Sequence, residues 1–514
     1  MAGRCRSALE VAAEFPYYAA VPNPTLRRAA ISVALMCSAA PAHATGTLET
    51  VGAPASANGL SARVLARHAE ASFYNPALLP SAEDSTELSY FVLHTHGDIR
   101  LHARPDAVDV PESIYDARLP NPDGTTRGLE LRPLPTAALP VRRGDTRLRE
   151  TTSYAVVGVV RRLLDDRLCF GFYGLLPVHG IQRQETFFSD EREQYFGNRL
   201  HFELLGDRGL VSSFSVALGG RPWDWLALGA GVNITTRTIT RTWVYVPDAG
   251  DQREILINPD IKVQTQYTPY LGVATHPSQQ LRLTTTLHLP SSTDTEGENR
   301  VRFWTGDLYE DDETYVRQSF ELSQSYLPLR FGVGAAWLSP VRVGNSRQWE
   351  VGVGALLSRW SKYRDRHGEV PLDRWQNTVS VNVGAARTWG EAGRWTADLA
   401  YFPSPVPDQT GRTNYVDNSR LAAGWGFEIP VWLLGTHLEI GTTVHGQILL
   451  SRDTTKRANA SNPVIDEYDD HAVDVVSREP MRNAGGLQTN NPGYPGFRSQ
   501  GWMLGASATL RLPL

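Results

Sequence analysis

The chain has 514 residues, 41% hydrophobic and 9% aromatic, with 50 basic against 55 acidic residues and a formal net charge of −5. That balance excludes a nucleic-acid protein carrying a basic phosphate-binding face, and it singles out no other partner. The length suits two or three soluble domains or one large barrel, so composition alone leaves the architecture open.

Arg27-Arg28 precede an apolar run from Ala29 to Ala40, and Ala42-His43-Ala44 supplies a small-x-small cleavage pattern. This is the layout of a secretory signal peptide, with an apolar part too short to span a membrane. The expected boundaries are 1–44 for the signal with its upstream extension, 45–84 for a separate N-terminal segment and 85–514 for the remainder. Cys5 and Cys37 fall in the removed part, so the exported chain keeps Cys169 alone and forms no internal disulfide. Without disulfides or a later apolar helix, a large exported chain is a periplasmic domain or an outer-membrane barrel.

Residues 45–84 are rich in Ala, Gly and Ser and do not alternate, with a short helix expected at 62–70. They contain Ser72-Phe73-Tyr74-Asn75-Pro76-Ala77-Leu78-Leu79, a tight Asn-Pro turn between apolar residues. By itself such a dipeptide marks a turn and nothing more.

From about residue 87 the pattern changes to period two. Trp502, Leu504, Ala506, Ala508, Leu510, Leu512 and Leu514 make one face of the last segment, and Gly505, Ser507, Thr509 and Arg511 the other. One face suits lipid and the other a lumen. Strands are expected near 87–101, 150–163, 167–178, 210–221, 225–246, 261–276, 280–290, 326–338, 348–360, 376–389, 395–403, 419–429, 435–450 and 500–514. Short connections at Arg221-Pro222-Trp223-Asp224, His276-Pro277-Ser278-Gln279, Trp389 to Gly393 and Pro430-Val431-Trp432 alternate with long polar loops, about 179–209, 291–325, 361–375, 404–418 and 451–499. Bacterial barrels have this alternation, with short turns inside and long loops outside, and an even strand count returns the C-terminus to the periplasm. Trp223, Trp225, Trp349, Trp360, Trp389, Trp395, Trp432 and Trp502 fall near strand ends, as interfacial girdles require.

The fold expected is therefore all-β, a transmembrane antiparallel β-barrel of about fourteen strands. So wide a ring cannot be filled by its own side chains, which makes residues 45–84 the candidate N-terminal plug. One predicted strand departs from the pattern. Leu168-Cys169-Phe170-Gly171-Phe172-Tyr173-Gly174-Leu175-Leu176-Pro177 is apolar on both faces, and so is Tyr154 to Val160 before it. Gly171 and Gly174 allow backbone distortion, and Pro177 removes a donor, so these residues mark either an apolar path through the wall or a surface packed on an apolar plug.

No site chemistry emerges elsewhere. His94 and His96 share a face but lack a third metal ligand in range, and the acidic runs Glu310-Asp311-Asp312-Glu313 and Asp466-Glu467-Tyr468-Asp469-Asp470 lack the spacing of a calcium loop. There is no nucleophile elbow and no phosphate loop, so neither catalytic residues, metal nor cofactor are expected and the protein reads as a non-enzyme.

The stretch Ala71-Ser72-Phe73-Tyr74-Asn75-Pro76-Ala77-Leu78-Leu79 resembles the Asn-Pro-Ala motif in the N-terminal hatch of FadL-type outer-membrane transporters of long-chain fatty acids and other hydrophobic compounds. Leu327-Pro328 with Phe331-Gly332, then Trp349 and Arg359-Trp360-Ser361, is similar to the middle of that family. So are the strand-turn-strand Arg221 to Leu226 and the last loop Asn491-Pro492-Gly493-Tyr494-Pro495-Gly496-Phe497-Arg498-Ser499. The ending Arg511-Leu512-Pro513-Leu514 departs from the aromatic terminus usual there. The resemblance implies a monomer in the outer membrane of a Gram-negative bacterium, in contact with outer-membrane lipid. Its ligand is a hydrophobic small molecule such as a fatty acid, taken up passively from the external loops and released sideways through the wall. On this reading Phe73, Tyr74, Asn75, Pro76 and Ala77 form the hatch, Gly171, Gly174 and Pro177 lie on the strand of the lateral opening, and no ligand-contacting residue is assigned. The alternatives are a structural or adhesin-like barrel with a closed lumen, and a polar porin, which the plug and the two apolar strands disfavour.

Overall fold

The alternating segments close into a ring in the computed structural model, which describes residues 46–56, 58–102, 118–120, 126–128, 146–164, 167–178, 200, 204, 212–246, 256–303, 315–340, 349–365, 370–389, 393–411, 413–433, 436–457, 459, 461 and 495–514. The signal peptide, the two acidic runs and Asn491 to Tyr494 lie outside the described residues.

The wall strands are β1 Ser85–Leu101, β2 Thr146–Leu163, β3 Leu168–Pro177, β4 Ser213–Trp223, β5 Leu226–Val246, β6 Leu256–Ser278, β7 Leu281–His288, β8 Arg330–Leu338, β9 Trp349–Ser358, β10 Thr378–Trp389, β11 Gly393–Phe402, β12 Arg420–Leu433, β13 Thr436–Thr455 and β14 Gly496–Pro513. Each pairs antiparallel with the next, and β14 returns to β1 from Ser85↔Pro513 to Leu101↔Phe497, leaving no open edge around the ring. Sixteen strands belong to the sheet; two form an outer hairpin and the other fourteen form the barrel. Outward positions expose a belt of apolar side chains, among them Leu88, Leu228, Leu271, Val353, Leu421, Val444 and Leu510. A barrel buries its backbone hydrogen bonds in the ladder, so this belt can face hydrocarbon without stranding a polar group. No helix among the described residues is long and apolar enough to cross a membrane.

Several boundaries differ from expectation for identifiable reasons. Arg221-Pro222 and His276-Pro277 are not turns but lie inside β4 and β6, where the register shifts between Gly220 and Trp223 and between Thr275 and Ser278. Proline cannot donate to the ladder, so it is accommodated at these irregularities. Pro430-Val431-Trp432 likewise continues β12. The expected loop 291–325 is largely a hairpin, Ser291–Phe303 with Tyr315–Leu327. Its first strand runs parallel to β5, from Asp294↔Arg237 to Phe303↔Val246. β5 and β6 have 21 and 23 residues, about twice what a tilted strand needs to cross hydrocarbon, so they project beyond it. β4 starts only at Ser213, and the hairpin occupies the edge of β5 that β4 leaves unpaired. Trp223, Trp225, Trp389 and Trp432 are exposed at the short-turn end, as a girdle should be, whereas Trp360 is buried among external loops.

Inside the ring lies the plug. It contains α1 Gly46–Val51, α2 Ala62–Leu65 and α3 Ala71–Tyr74, with 3-10 segments at Gly59–Ser61 and Pro76–Ser81. The helix expected at 62–70 is thus only one turn long. Irregular backbone leaves donors and acceptors open, and inward polar side chains of the wall satisfy them. Gln447 donates to the Thr50 carbonyl at 2.7 Å, Arg282 to that of Val64 at 2.6 Å, and Asp398 accepts from the Leu60 amide at 3.2 Å. The main core is the seam where Leu48, Phe73, Leu78 and Leu79 meet Phe91, Tyr154, Val156 and Leu175 of the wall.

On the outside, Lys456 follows β13 with 4% of its surface exposed; its ammonium donates to Asn414 and lies 5.6 Å from the Phe497 ring centre. Burial lowers its pKa to about 7, Asp373 acting only partly against this. An unfolded lysine stays protonated to about 10.4, so stability should rise with pH between about 7 and 10 and level off below 7. Lys456→Met is expected to abolish that slope and raise the midpoint of urea unfolding at pH 7; an unchanged slope would count against this account.

Candidate functional site

The hatch motif is built from local rules. Pro76 opens the 3-10 turn where its missing N–H costs nothing, and the Asn75 side chain caps that turn by accepting from the Ala77 amide at 3.2 Å. Its amide nitrogen donates to the Arg63 carbonyl at 3.1 Å, which ties the corner to α2. Phe73 meets Tyr74 edge-to-face at 4.7 Å and His288 at 5.5 Å, while the Tyr74 hydroxyl donates to the Leu48 carbonyl at 2.7 Å. All five residues Phe73 to Ala77 are buried.

The corner rests on a bed of wall glycines. A methyl group added at Gly219 or Gly229 would overlap the Pro76 backbone, and one at Gly272 would overlap the Asn75 side chain. Neighbouring strands β4, β5 and β6 therefore approach the plug at backbone distance, which only glycine permits. Gly171 on β3 serves the same purpose towards Ser72 and Leu79, whereas Gly174 lies under the Phe214 ring on β4. β3 is paired on both edges, from Tyr154↔Pro177 on one and from Leu168↔Gly220 to Leu175↔Ser213 on the other.

Above the plug, towards the long loops, lies a cavity of about 100 Å³. α1 makes its floor; Leu93, Tyr154, Met503, Tyr326, Trp360 and Phe402 give it an apolar and aromatic wall. Two arginines from the wall reach it. Arg330 of β8 is 2% exposed and ion-paired with Glu49 of α1, yet its Nε and one terminal nitrogen have no partner. Glu49 also pairs with Arg63 of α2 at 2.7 Å, so two guanidinium groups share one carboxylate. Arg420 of β12 lies over Phe402 at 5.5 Å, also with two unpartnered nitrogens. At the mouth, Trp360, Tyr363, Trp375 and Tyr415 form an aromatic cluster, with Tyr363 and Trp375 stacked at 3.7 Å.

Below the plug a second cavity, about 720 Å³, is lined mainly by charged and polar groups. Here the plug is clasped to the wall. Arg511 of β14 reaches Glu439 of β13 at 2.9 Å, Glu87 of β1 at 3.2 Å and Glu428 of β12 at 3.4 Å, while His68 of the plug lies 3.5 Å from Glu428. Burial and Arg511 oppose protonation of His68, but Glu428 and Glu83 raise its pKa above the ordinary value. His68, Glu83 and Glu439 come within 4.8 Å of one another, as metal ligands could, but Arg67 and Arg511 already neutralise the two carboxylates. The group reads as an ion-pair clasp. His94 and His96 lie elsewhere, on the outer face of β1, packed on Trp502 with ring centres at 5.2 Å (tilted) and 5.6 Å (stacked).

Sequence reading placed the hatch but found none of the arginines, because each is an isolated residue at an inward position of an ordinary strand. A lone Arg on the expected lumen face, beside Leu327-Pro328, was the only available signal.

Fold, belt and filled lumen define a plugged transmembrane β-barrel. No protein-family model matches the chain, and no curated protein matches it. Among solved structures the chain is similar to FadL-family proteins. A FadL homologue of Pseudomonas aeruginosa shares 15% identity over 91% of this chain and 98% of its own, with a TM-score of 0.47. The Pseudomonas putida toluene transporter TodX shares 10% over 90% and 98%, with 0.43, and the Ralstonia pickettii toluene transporter TbuX 10% over 90% and 99%, with 0.43.

Proposed function

We propose that the protein is a monomeric, passive outer-membrane channel for hydrophobic small molecules, with long-chain acids such as fatty acids as its preferred ligands. The observation that carries this reading is the cavity above the plug, apolar and aromatic on its sides, with Arg330 presenting unpartnered N–H groups beside Glu49. A carboxylate headgroup would satisfy those donors while its tail lies against Tyr154, Met503 and Phe402. At about 100 Å³ the cavity is well below the usual size of a ligand pocket, so on this reading the conformation is a closed one. Room for a long tail requires α1 to move, and a competing carboxylate at Arg330 removes one of the contacts that hold it, the ion pair with Glu49.

The exit we propose is lateral, beside the strand carrying Gly171, Gly174 and Pro177. Among the described residues the ladder there is short at its outward end: β3 stops at Pro177 and β4 at Ser213, while β2 continues to Thr146 and β5 to Val246. The cavity reaches both sides of this low section, at Thr152 and Tyr154 of β2 and at Tyr326 and Leu327 of the outer hairpin. Phe73 to Ala77 then act as the gate that denies a straight path through the lumen.

A surface-contact reading draws on the outer half of β6, where Leu256, Ile257, Ile261 and Val263 are exposed on a strand projecting beyond the belt. One experiment separates the two. Mass spectrometry of the purified barrel should find a retained hydrophobic acid, and deleting the gene should slow uptake of labelled oleate. An empty barrel with unchanged uptake, together with loss of surface adhesion, would replace the channel by the adhesin.

A further inference from the structure

The outward face of β2, β1 and β14 changes character abruptly at its long-loop end. Along β1 the outward positions run from exposed Leu88 and Tyr90 to half-buried Val92, His94 and His96; along β14 they run from Leu510 and Leu504 to Trp502, all exposed. Both histidine rings pack on Trp502, which therefore closes the apolar belt as an interfacial aromatic does. Directly beyond it the same face carries four arginines on three adjacent strands. Register puts Arg149 beside His96, Arg147 beside Asp98, and Arg100 beside Arg498. All four are exposed.

Their charges are only partly balanced. Asp98 is shared between Arg147 at 3.5 Å and His96 at 3.1 Å, and Asp453, opposite Arg498, pairs with His102 at 3.2 Å. Arg498 donates to the neutral Ser451 hydroxyl at 3.0 Å, and Arg100 and Arg149 have no ion pair among the described residues. Like charges on facing strands repel, so Arg100 opposite Arg498 is unfavourable unless an anion lies between them. The four residues span four positions of β1, which for a tilted strand is roughly 10 Å above the girdle. That is the depth of lipid headgroups, and the opposite charge found at that depth is phosphate.

We propose that this patch binds the phosphate groups of a phosphorylated, multiply acylated glycolipid of the outer leaflet, whose acyl chains lie along Tyr90, Trp502 and Leu504. Guanidinium groups suit the role because they grip phosphate oxygens in pairs. The contact fixes the barrel's depth and places an ordered lipid beside β2, next to the low section of wall.

Native mass spectrometry tests this on the full, folded barrel in detergent, titrated with a diphosphorylated hexa-acylated glucosamine disaccharide. Replacing Arg100, Arg147, Arg149 and Arg498 together by serine should weaken the adduct roughly tenfold or more, since one basic residue near an anionic lipid surface is worth about a factor of five. The dephosphorylated disaccharide should bind both proteins equally and weakly. A heat-modifiable gel band confirms that the variant is folded, and a single Arg147→Ser change gives a smaller loss should the fourfold variant fail to assemble. Equal binding of the phosphorylated lipid by both proteins would overturn the proposal. So would an equal loss for the dephosphorylated lipid, or displacement of the adduct by inorganic phosphate, which would make the patch a free-anion site.

Discussion

Replacing Arg330 by methionine is expected to weaken binding of a hydrophobic carboxylic acid by roughly ten- to a hundredfold while leaving its methyl ester almost unaffected. The size follows from charge-assisted hydrogen bonds, each worth about 1.5–3 kcal/mol when the donor is charged and water is excluded. Arg330 is 2% exposed and keeps two donor groups without partners, so little of that energy is lost to screening. Methionine fills a similar volume against Phe73, whose ring lies 5.9 Å from the guanidinium carbon, and Glu49 retains Arg63 at 2.7 Å, so the plug keeps one of its two ion pairs there. Fluorescence displacement by acid and ester measures the difference. Equal losses for the two ligands would mean that Arg330 supports the packing of α1 and does not recognise the headgroup.

Deleting residues 46–82 should leave a folded barrel that conducts ions at least an order of magnitude better than the intact protein, because a ring of this width does not fill itself with its own side chains. The wall should survive, since its ladder closes from β14 to β1 without the plug. Gly229→Val is the milder companion. Its side chain would occupy the space of the Pro76 backbone, and overlap of that kind costs typically 1–3 kcal/mol. Lifting the Asn75-Pro76 corner should produce intermittent openings, whereas the clasp at Arg511, Glu428 and His68 keeps the remainder of the plug seated. Planar-bilayer recordings check both variants. A truncated barrel as tight as the intact one would remove the plug from its gating role.

Much of this architecture was legible in the chain itself. Period-two alternation from Leu504 to Leu512, short turns opposing long loops, and tryptophans at strand ends are local properties of a strand crossing lipid, so they are written in consecutive residues. The hatch was readable for a similar reason, because an Asn-Pro corner caps its own turn. Where proline and tryptophan are ambiguous, local reading erred: Pro222, Pro277 and Pro430 lie within strands, and Trp360 packs under loops.

What only the tertiary structure decided is which residues meet across the lumen. Arg330 and Glu49 are 281 positions apart, and Arg511 gathers Glu428 and Glu439 from the two strands before its own and Glu87 from the first strand, which becomes a neighbour only when the ring closes. The glycines beneath Pro76 look like ordinary strand glycines until the plug's path is known. Alternation states which face a side chain takes, because that depends on one strand alone. Its partner depends on ring closure and on how the plug descends through the ring, and neither has a local signature.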